Sequence, residues 1–268
     1  MRLDNIAVKE LPAYATNESA EKLSCDACRS GEALDFDFSM AFQPLVDLQS
    51  QSVIGYESLV RGLNGEPAYT VINQVTAKNI YRFDQTCRVK AIALAAEANM
   101  DKILSINFMP GAIYKPEHCI RTTLKAAEKY GFPIEQISFE VVETDHIADL
   151  AHLQNIINHY NSMGFRTALD DFGSGYANLE WMARLSPNMI KVDMSLVRDI
   201  DKDKKQRVIV SHLYNLCQEL GIDVLAEGIE TRAERDCLAD IGITKQQGYY
   251  FAKPQFEKFV EVDIALLV

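Results

Sequence analysis

Two strand-like segments near the start of the chain lie too close together in sequence to be parallel neighbours in a sheet. Residues 40–46 and 53–59 are rich in β-forming residues, and only the six residues 47–52 separate them. A connection between parallel strands needs a crossover of about a dozen residues or more. The spacing therefore predicts an antiparallel pair, which fixes the direction of the first strand against the second.

After this pair, strand-like and helical patterns alternate along the chain. Six further strands are predicted at 103–108, 137–142, 166–170, 189–193, 223–227 and 245–249. Helical runs with an apolar face are predicted at 83–98, 116–130, 149–163, 206–220 and 232–241, and a glycine, which commonly ends a helix, follows most of them. Eight strands, most of them followed by a helix, predict an α/β fold, a (β/α)8 TIM-like barrel with an antiparallel first strand. An open doubly wound sheet is the alternative, but no Gly-x-Gly-x-x-Gly turn follows the first strand.

The regular pattern begins only after about residue 34. Residues 1–34 have mixed polarity and no sustained period, so we interpret them as an N-terminal leader or cap, and residues 35–268 as one domain. The length of 268 residues suits one barrel of this kind. A formal charge of −11 argues against broad contact with DNA, for which basic patches are expected. This charge does not exclude a small phosphorylated ligand, because bound cations reverse the charge of a site locally.

The six cysteines are too sparse for a disulfide framework, which favours reduced thiols and a cytoplasmic location. Cys25 and Cys28 have the spacing of half a zinc or redox site, but no second Cys-x-x-Cys or histidine pair accompanies them. We expect an incidental pair, while a zinc ion shared between two chains stays open. The N-terminus lacks the pattern of a signal peptide, and no apolar run is long enough to cross a bilayer.

Polar residues fall at the ends of the predicted strands, where the catalytic groups of a parallel barrel lie. The fifth strand ends in Asp170 and Asp171, two adjacent carboxylates that repel each other unless a cation lies between them. A solvated turn is the alternative interpretation of this pair taken alone. The same mouth of the barrel collects Glu57, Asn107, Glu140 and Glu227, together with Gln43, Lys191, Asp193 and Gln247.

This set of residues favours a metal-dependent hydrolase. An all-oxygen ligand set with an acidic excess suits Mg²⁺ or Mn²⁺ better than zinc, which favours His and Cys. The mouth offers enough oxygens for two ions that share a bridging carboxylate, and such pairs typically act on phosphate esters. Each residue alone has a simpler explanation as a cap or turn, and a buried lysine such as Lys191 is more often an ion-pair partner than a catalyst.

Ordered motifs extend over about residues 38–260. They are Glu57-Ser58-Leu59-Val60-Arg61, Ile106-Asn107, Phe139-Glu140-Val141-Val142-Glu143, Asp170-Asp171-Phe172-Gly173-Ser174-Gly175-Tyr176, Ile190-Lys191-Val192-Asp193, Ala226-Glu227-Gly228-Ile229-Glu230-Thr231 and Gln247-Gly248-Tyr249-Tyr250-Phe251-Ala252-Lys253-Pro254. Together they resemble the motifs of EAL-domain cyclic di-GMP phosphodiesterases. This chain departs from the Glu-Ala-Leu signature of that family at one position, where Ser58 replaces the usual alanine. Serine is nearly as small, and we expect this change to have little effect.

The resemblance implies a role for each matching residue. One metal ion is held by Glu57, Asn107, Glu140 and Asp170, and a second by Asp170, Asp171 and Glu227, with Asp170 as the bridge. Lys191 orients or deprotonates the water that attacks one phosphorus in line, and it forms the catalytic set with Glu57, Asp170, Asp171 and Glu227. The nucleotide is contacted by Gln43, Leu59, Arg61, Asp193 and Gln247. Glu143 anchors the loop after Asp171.

The resemblance also implies an activity and partners. It implies hydrolysis of cyclic di-GMP to linear pGpG in bacterial signalling, with two Mg²⁺ or Mn²⁺ ions and a homodimer whose interface is coupled to the site through the loop after Asp171. Neither DNA nor a membrane is an expected partner, and a regulatory partner protein stays open. Two other functions also stay open: a catalytically silent receptor for cyclic di-GMP, and a protein-interaction module that has kept only the fold. The filled metal-ligand positions argue against both.

Overall fold

The computed structural model describes residues 33–113, 115–141, 150–174 and 179–268. Its strands are β1 Ser39–Asp47, β2 Ser52–Arg61, β3 Ile103–Phe108, β4 Ile137–Val141, β5 Arg166–Phe172, β6 Met189–Val192, β7 Asp223–Ala226, β8 Lys245–Gln246 and β9 Gln255–Phe256. Strands β2 to β8 are parallel neighbours in the order of the sequence. β1 lies between β8 and β2 and is antiparallel to both, so the sheet closes. The predicted TIM-like barrel with a reversed first strand is confirmed.

Helices cover the outside of the barrel. They are α1 Ala68–Ile72, α2 Ile80–Glu97, α3 Pro116–Tyr130, α4 Leu150–Ser162, α5 Leu179–Leu185, α6 Met194–Val197, α7 Lys204–Leu220 and α8 Arg232–Ile241. The bounds predicted for α3 and α8 are correct, and those for α2, α4 and α7 differ by one to three residues at an end. Gly131, Gly221 and Gly242 have positive φ at the ends of α3, α7 and α8, because this left-handed conformation ends the helical hydrogen bonding.

The turn between β1 and β2 explains their pairing. The hairpin sets Gln43 opposite Glu57, so one residue of the reversed strand reaches the level at which the parallel strands end. Asp47 stabilises the start of the turn by accepting a hydrogen bond from the backbone N–H of Gln49 at 3.1 Å. The antiparallel first strand is thus a local consequence of the short connection.

A buried ion pair lies within the hydrophobic layer between the barrel and the helices. Arg88 on α2 is fully buried and lies 2.8 Å from Asp84. Its guanidinium carbon is 4.8 Å from the centre of the Phe139 ring, and Nη1 donates to the hydroxyl of Tyr160 at 3.2 Å. These contacts join α2, β4 and α4 behind the site. The ion pair and the aromatic rings together offset part of the cost of burying the charge.

Several details differ from the sequence-based expectation. β8 has only two residues and ends before Gln247, and the short elements β9, α1 and α6 were not predicted. Asp193 is not part of β6 but caps α6, where its side chain accepts from Ser195 N. Cys25, Cys28 and Glu143 lie outside the described residues, so their predicted roles stay predictions. No helix in the described part of the chain combines the length and apolar character that a membrane span requires.

Candidate functional site

The polar residues predicted at the strand ends meet at one mouth of the barrel. Alternation along each strand points Glu57 of β2, Asn107 of β3 and Glu140 of β4 into the barrel, and Glu227 follows directly after β7. Glu57 and Glu140 are buried, and Asp170 on β5 is 9% exposed. The site is therefore assembled from the ends of successive strands, as a barrel of this topology predicts.

Lys191 lies at the centre of this group. Its Nζ is 2.6 Å from Glu227 Oε1, 2.8 Å from both Glu140 Oε2 and Asp170 Oδ1, and 3.5 Å from Glu57 Oε2. Burial alone would lower the pKa of Lys191, but the four carboxylates raise it well above its usual range. The lysine is thus an ammonium ion in this arrangement, so the ion-pair interpretation describes its contacts here.

The carboxylates carry more negative charge than this ammonium balances. Burial raises the pKa of Glu140 to about 8 and that of Glu227 well above its usual range. Burial, followed by the neighbouring Asp170, raises the pKa of Asp171 to about 6. The pKa of a buried carboxylate is raised when too few positive charges and hydrogen-bond donors stabilise its ionised form. Additional positive charge would therefore be favourable at this mouth.

Two overlapping groups of oxygen atoms have the spacing of cation sites. Glu57, Glu140 and Asp170 form one, and Asp170, Asp171 and Glu227 form the other; in each, one oxygen per residue lies within 4.8 Å of the others. Asn107 Nδ2 donates to Glu57 Oε1 at 2.9 Å, which leaves its buried Oδ1 without a hydrogen-bond partner among the described residues. An all-oxygen donor set with an unpaired amide oxygen fits hard divalent cations, and Asp170 belongs to both groups.

An irregularity in β5 explains how adjacent aspartates share the mouth. In a regular strand the side chains of Asp170 and Asp171 would point to opposite faces. The pairing of β5 with β6 shifts register between Leu169 and Phe172, and Asp171 has a φ of 51°. Aspartate tolerates this left-handed conformation better than most residues. The bulge therefore turns the second carboxylate toward the first, a common use of bulges beside functional sites.

A cavity of about 320 Å³ opens from the carboxylates. Four of the five residues predicted to contact a nucleotide line it, namely Gln43, Leu59, Asp193 and Gln247. Gln247 Nε2 also donates to Glu57 Oε2 at 2.8 Å and to Gln43 Oε1 at 3.2 Å, which links β1, β2 and the segment after β8. The fifth, Arg61, is not among the lining residues: its Nη1 donates to the carbonyl of Val60 at 2.7 Å.

The cavity also contains a cation that the sequence reasoning missed. Arg198 lines it, and its Nη2 lies 2.7 Å from Glu230 Oε1. Tyr249, 55% exposed, lines the same cavity. The sequence signal that could have indicated Arg198 is its position five residues after Asp193, in the connection that follows β6. A second, more apolar cavity of about 290 Å³ is also lined by Glu57, together with residues that include Phe83, Cys87 and Met109.

Comparison with known proteins gives a consistent result. The sequence model of the EAL domain matches residues 30–254. A standalone versatile EAL protein from Vibrio cholerae O395, solved in a c-di-GMP-bound form, is 51% identical over 87% of this chain and 99% of its own, with a TM-score of 0.85. The manganese/cy-diGMP complex of Klebsiella pneumoniae BlrP1 is 31% identical over 87% of this chain and 60% of its own, with a TM-score of 0.79.

Curated relatives are more distant and longer. The probable cyclic di-GMP phosphodiesterase PdeD of Escherichia coli K12 is 28% identical over 81% of this chain and 42% of its own. The chain spans between 30% and 56% of the length of the first curated relatives that it matches.

Proposed function

The chain belongs to the EAL domain family, and from that premise we propose that it hydrolyses cyclic di-GMP to linear pGpG with two divalent cations. The observation that carries the proposal is the pair of overlapping oxygen groups that share Asp170. The manganese/cy-diGMP complex of Klebsiella pneumoniae BlrP1 supports the same ligands for this chain. The residues 35–268 form the catalytic domain in this proposal.

The proposed ligands divide between two ions. Glu57, Asn107, Glu140 and Asp170 hold the first, and Asp170, Asp171 and Glu227 hold the second; we propose Mg²⁺ or Mn²⁺ for both. Bound there, the ions supply Lewis-acid polarisation of the phosphate and lower the pKa of water. Asn107 contributes its free Oδ1 while its Nδ2 holds Glu57 in place.

The remaining residues position the substrate and a water molecule. Lys191 Nζ, an ammonium among the carboxylates, orients the attacking water and stabilises negative charge on the phosphoryl oxygens. It could deprotonate that water only if the bound cations lowered its pKa. Gln43, Leu59, Asp193 and Gln247 bind the nucleotide in the cavity that they line. Arg61 joins them only if its side chain leaves the Val60 carbonyl. The two cavities that share Glu57 in their walls suit a ligand with two bulky ends.

The loop after Asp171 enters the proposal through family resemblance alone. We propose that Glu143 anchors it and that a homodimer couples to the site through it. Sedimentation of the full chain measures the assembly, and a purely monomeric, fully active enzyme would contradict the dimer. A cytoplasmic location stays a prediction. Among the described residues, Cys87, Cys119, Cys217 and Cys237 form no disulfide, which agrees with that prediction.

The activity is tested by incubating the purified full chain with cyclic di-GMP and Mn²⁺ or Mg²⁺ and separating the products by chromatography. We expect pGpG from the wild type and a loss of at least about 100-fold in rate for Glu57→Ala, because that variant lacks a ligand of the first ion. Glu135→Ala is the matched control, since it removes an exposed carboxylate at the opposite end of β4. Tight nucleotide binding without turnover would support a silent receptor instead, and neither binding nor turnover would support an interaction module.

A further inference from the structure

A serine hydroxyl inside the barrel contacts one carboxylate of the site. Ser105 lies on β3, two residues before Asn107, and is 2% exposed. Its Oγ donates a hydrogen bond to Oε1 of Glu140 on the neighbouring strand β4. The other oxygen of Glu140, Oε2, accepts from Lys191 Nζ at 2.8 Å. Both carboxylate oxygens are therefore held, from two different strands.

We propose that Ser105 is a positioning residue of the metal centre: its hydroxyl fixes the Glu140 carboxylate in the orientation in which it binds the divalent cation. The inference rests on the proposed function, because Glu140 is one of the proposed ligands. A glutamate side chain rotates about three bonds, and a hydrogen bond to one oxygen restricts the last of them. Replacing a residue that holds a metal ligand through a hydrogen bond typically changes metal affinity or activity by about 10–100-fold.

The neighbouring Ser58 provides a matched comparison. It is also 2% exposed, and its Oγ donates at 2.9 Å to the main-chain carbonyl of Ser105. Ser58 follows Glu57 on β2, so its side chain lies on the opposite face of the sheet from the site. Replacing either serine by alanine removes one buried hydroxyl and one hydrogen bond. Only the replacement of Ser105 also releases Glu140.

The test measures Mn²⁺ binding to the full chain without substrate, by electron paramagnetic resonance of the free ion. We expect Ser105→Ala to raise the Kd of the site that contains Glu140 by about 10–100-fold. Ser58→Ala is expected to bind Mn²⁺ as the wild type does. Ser105→Thr keeps the hydroxyl and is expected to retain most of the affinity. Thermal unfolding in EDTA is measured for all variants, so that a loss of fold is not mistaken for a loss of metal.

Four outcomes would overturn the inference. Wild-type affinity in Ser105→Ala would show that the hydroxyl does not position the ligand, and an equal loss in both alanine variants would show a merely structural effect. If Ser105→Ala does not fold, Ser105→Cys replaces it, because a thiol keeps the volume with a weaker donor; unchanged affinity in that variant would refute the proposal. A wild-type chain that binds no Mn²⁺ would overturn the proposed function itself, and with it this inference.

Discussion

Lys191 governs the charge balance among the residues of the site. A buried ammonium that contacts four carboxylates offsets part of their mutual repulsion in the absence of a bound cation. Metal ions would occupy the same region of space and act on the same oxygens. The lysine and the cations should therefore be partly interchangeable in their effect on folding stability, although not in catalysis.

Replacing this lysine tests that balance. We expect Lys191→Met to lower the free energy of unfolding in EDTA by about 3–5 kcal/mol, because the variant leaves buried carboxylates without their partner. Saturating Mn²⁺ should stabilise the variant more than it stabilises the wild type, while turnover stays lost. Urea unfolding with and without Mn²⁺ measures both effects. Lys202→Met, which removes an exposed lysine paired with Asp199, should change little.

Most residues of the site could be predicted because the ends of parallel strands converge whatever the details of packing. Glu57, Glu140 and Glu227 follow from that rule alone. The contact of Ser105 with Glu140 could not be predicted, since a serine within a strand has no sequence pattern that distinguishes it. The direction of the Arg61 side chain could not be predicted either, because a partly exposed arginine has many rotamers and its choice depends on local acceptors.

Among the elements, the loops after β7 and α6 are joined by one carboxylate. Glu234, in the first turn of α8, accepts hydrogen bonds at 3.0 Å from the backbone N–H groups of Asp199, Glu230 and Thr231. Thr231 completes a capping box by accepting from Glu234 N. The segment after Glu227 is thereby tied to the segment after α6, which holds Arg198 at the cavity.

Glu234→Gln should destabilise the fold by about 1.5–3 kcal/mol at pH 7, because it weakens several hydrogen bonds to a charged group. Burial alone would raise the pKa of Glu234, but the backbone donors hold it below its usual range. The stabilisation is thus complete above the pKa of the unfolded chain, about 4.3, and is lost as the pH falls through the folded pKa. The difference in unfolding free energy between wild type and variant should stay constant from pH 7 to 5 and shrink below about pH 4.

A pH-independent difference would show that the charge of Glu234 is unimportant. Glu219→Gln, on an exposed part of α7, is the control and should unfold as the wild type does at each pH.

The elements differ in how far the sequence predicts them. Long amphipathic helices that end at glycine were predicted closely, because their period and their stop signal agree. The bulge in β5 and the two-residue β8 were not, since both depend on how neighbouring strands register in the closed sheet. The adjacent Asp170 and Asp171 indicated a site, but the sequence did not predict the left-handed backbone of Asp171, which brings the two carboxylates together.

At the scale of the whole molecule, the proposed ligand oxygens come from strands around much of the barrel. A cation that binds them is bound only when β2, β4 and β5 are in place together, so its binding energy opposes global unfolding. At a free concentration of 100 times its Kd, one ion should add about 2.7 kcal/mol to the stability. We expect the Tm to rise with Mn²⁺ and to return with EDTA, and calorimetry measures both. If Mn²⁺ raises the Tm of Glu57→Ala as much as it raises that of the wild type, the assigned ligands are contradicted.

The reversed first strand also determines the order in which the barrel can assemble. β1 and β2 are neighbours in sequence and pair over most of their length, so this hairpin can form early at a low entropic cost. β1 pairs with β8 through only two residue pairs, which join positions about 200 residues apart. Closure there comes late, and β8 is held by only two residue pairs on each side, to β1 and to β7, so the sheet can open at this seam. Gln43 and Gln247 lie on its two sides and are hydrogen-bonded across it. Transient opening of the seam would therefore separate the two amides proposed to contact the nucleotide, while the proposed ion ligands on β2 to β5 stay together.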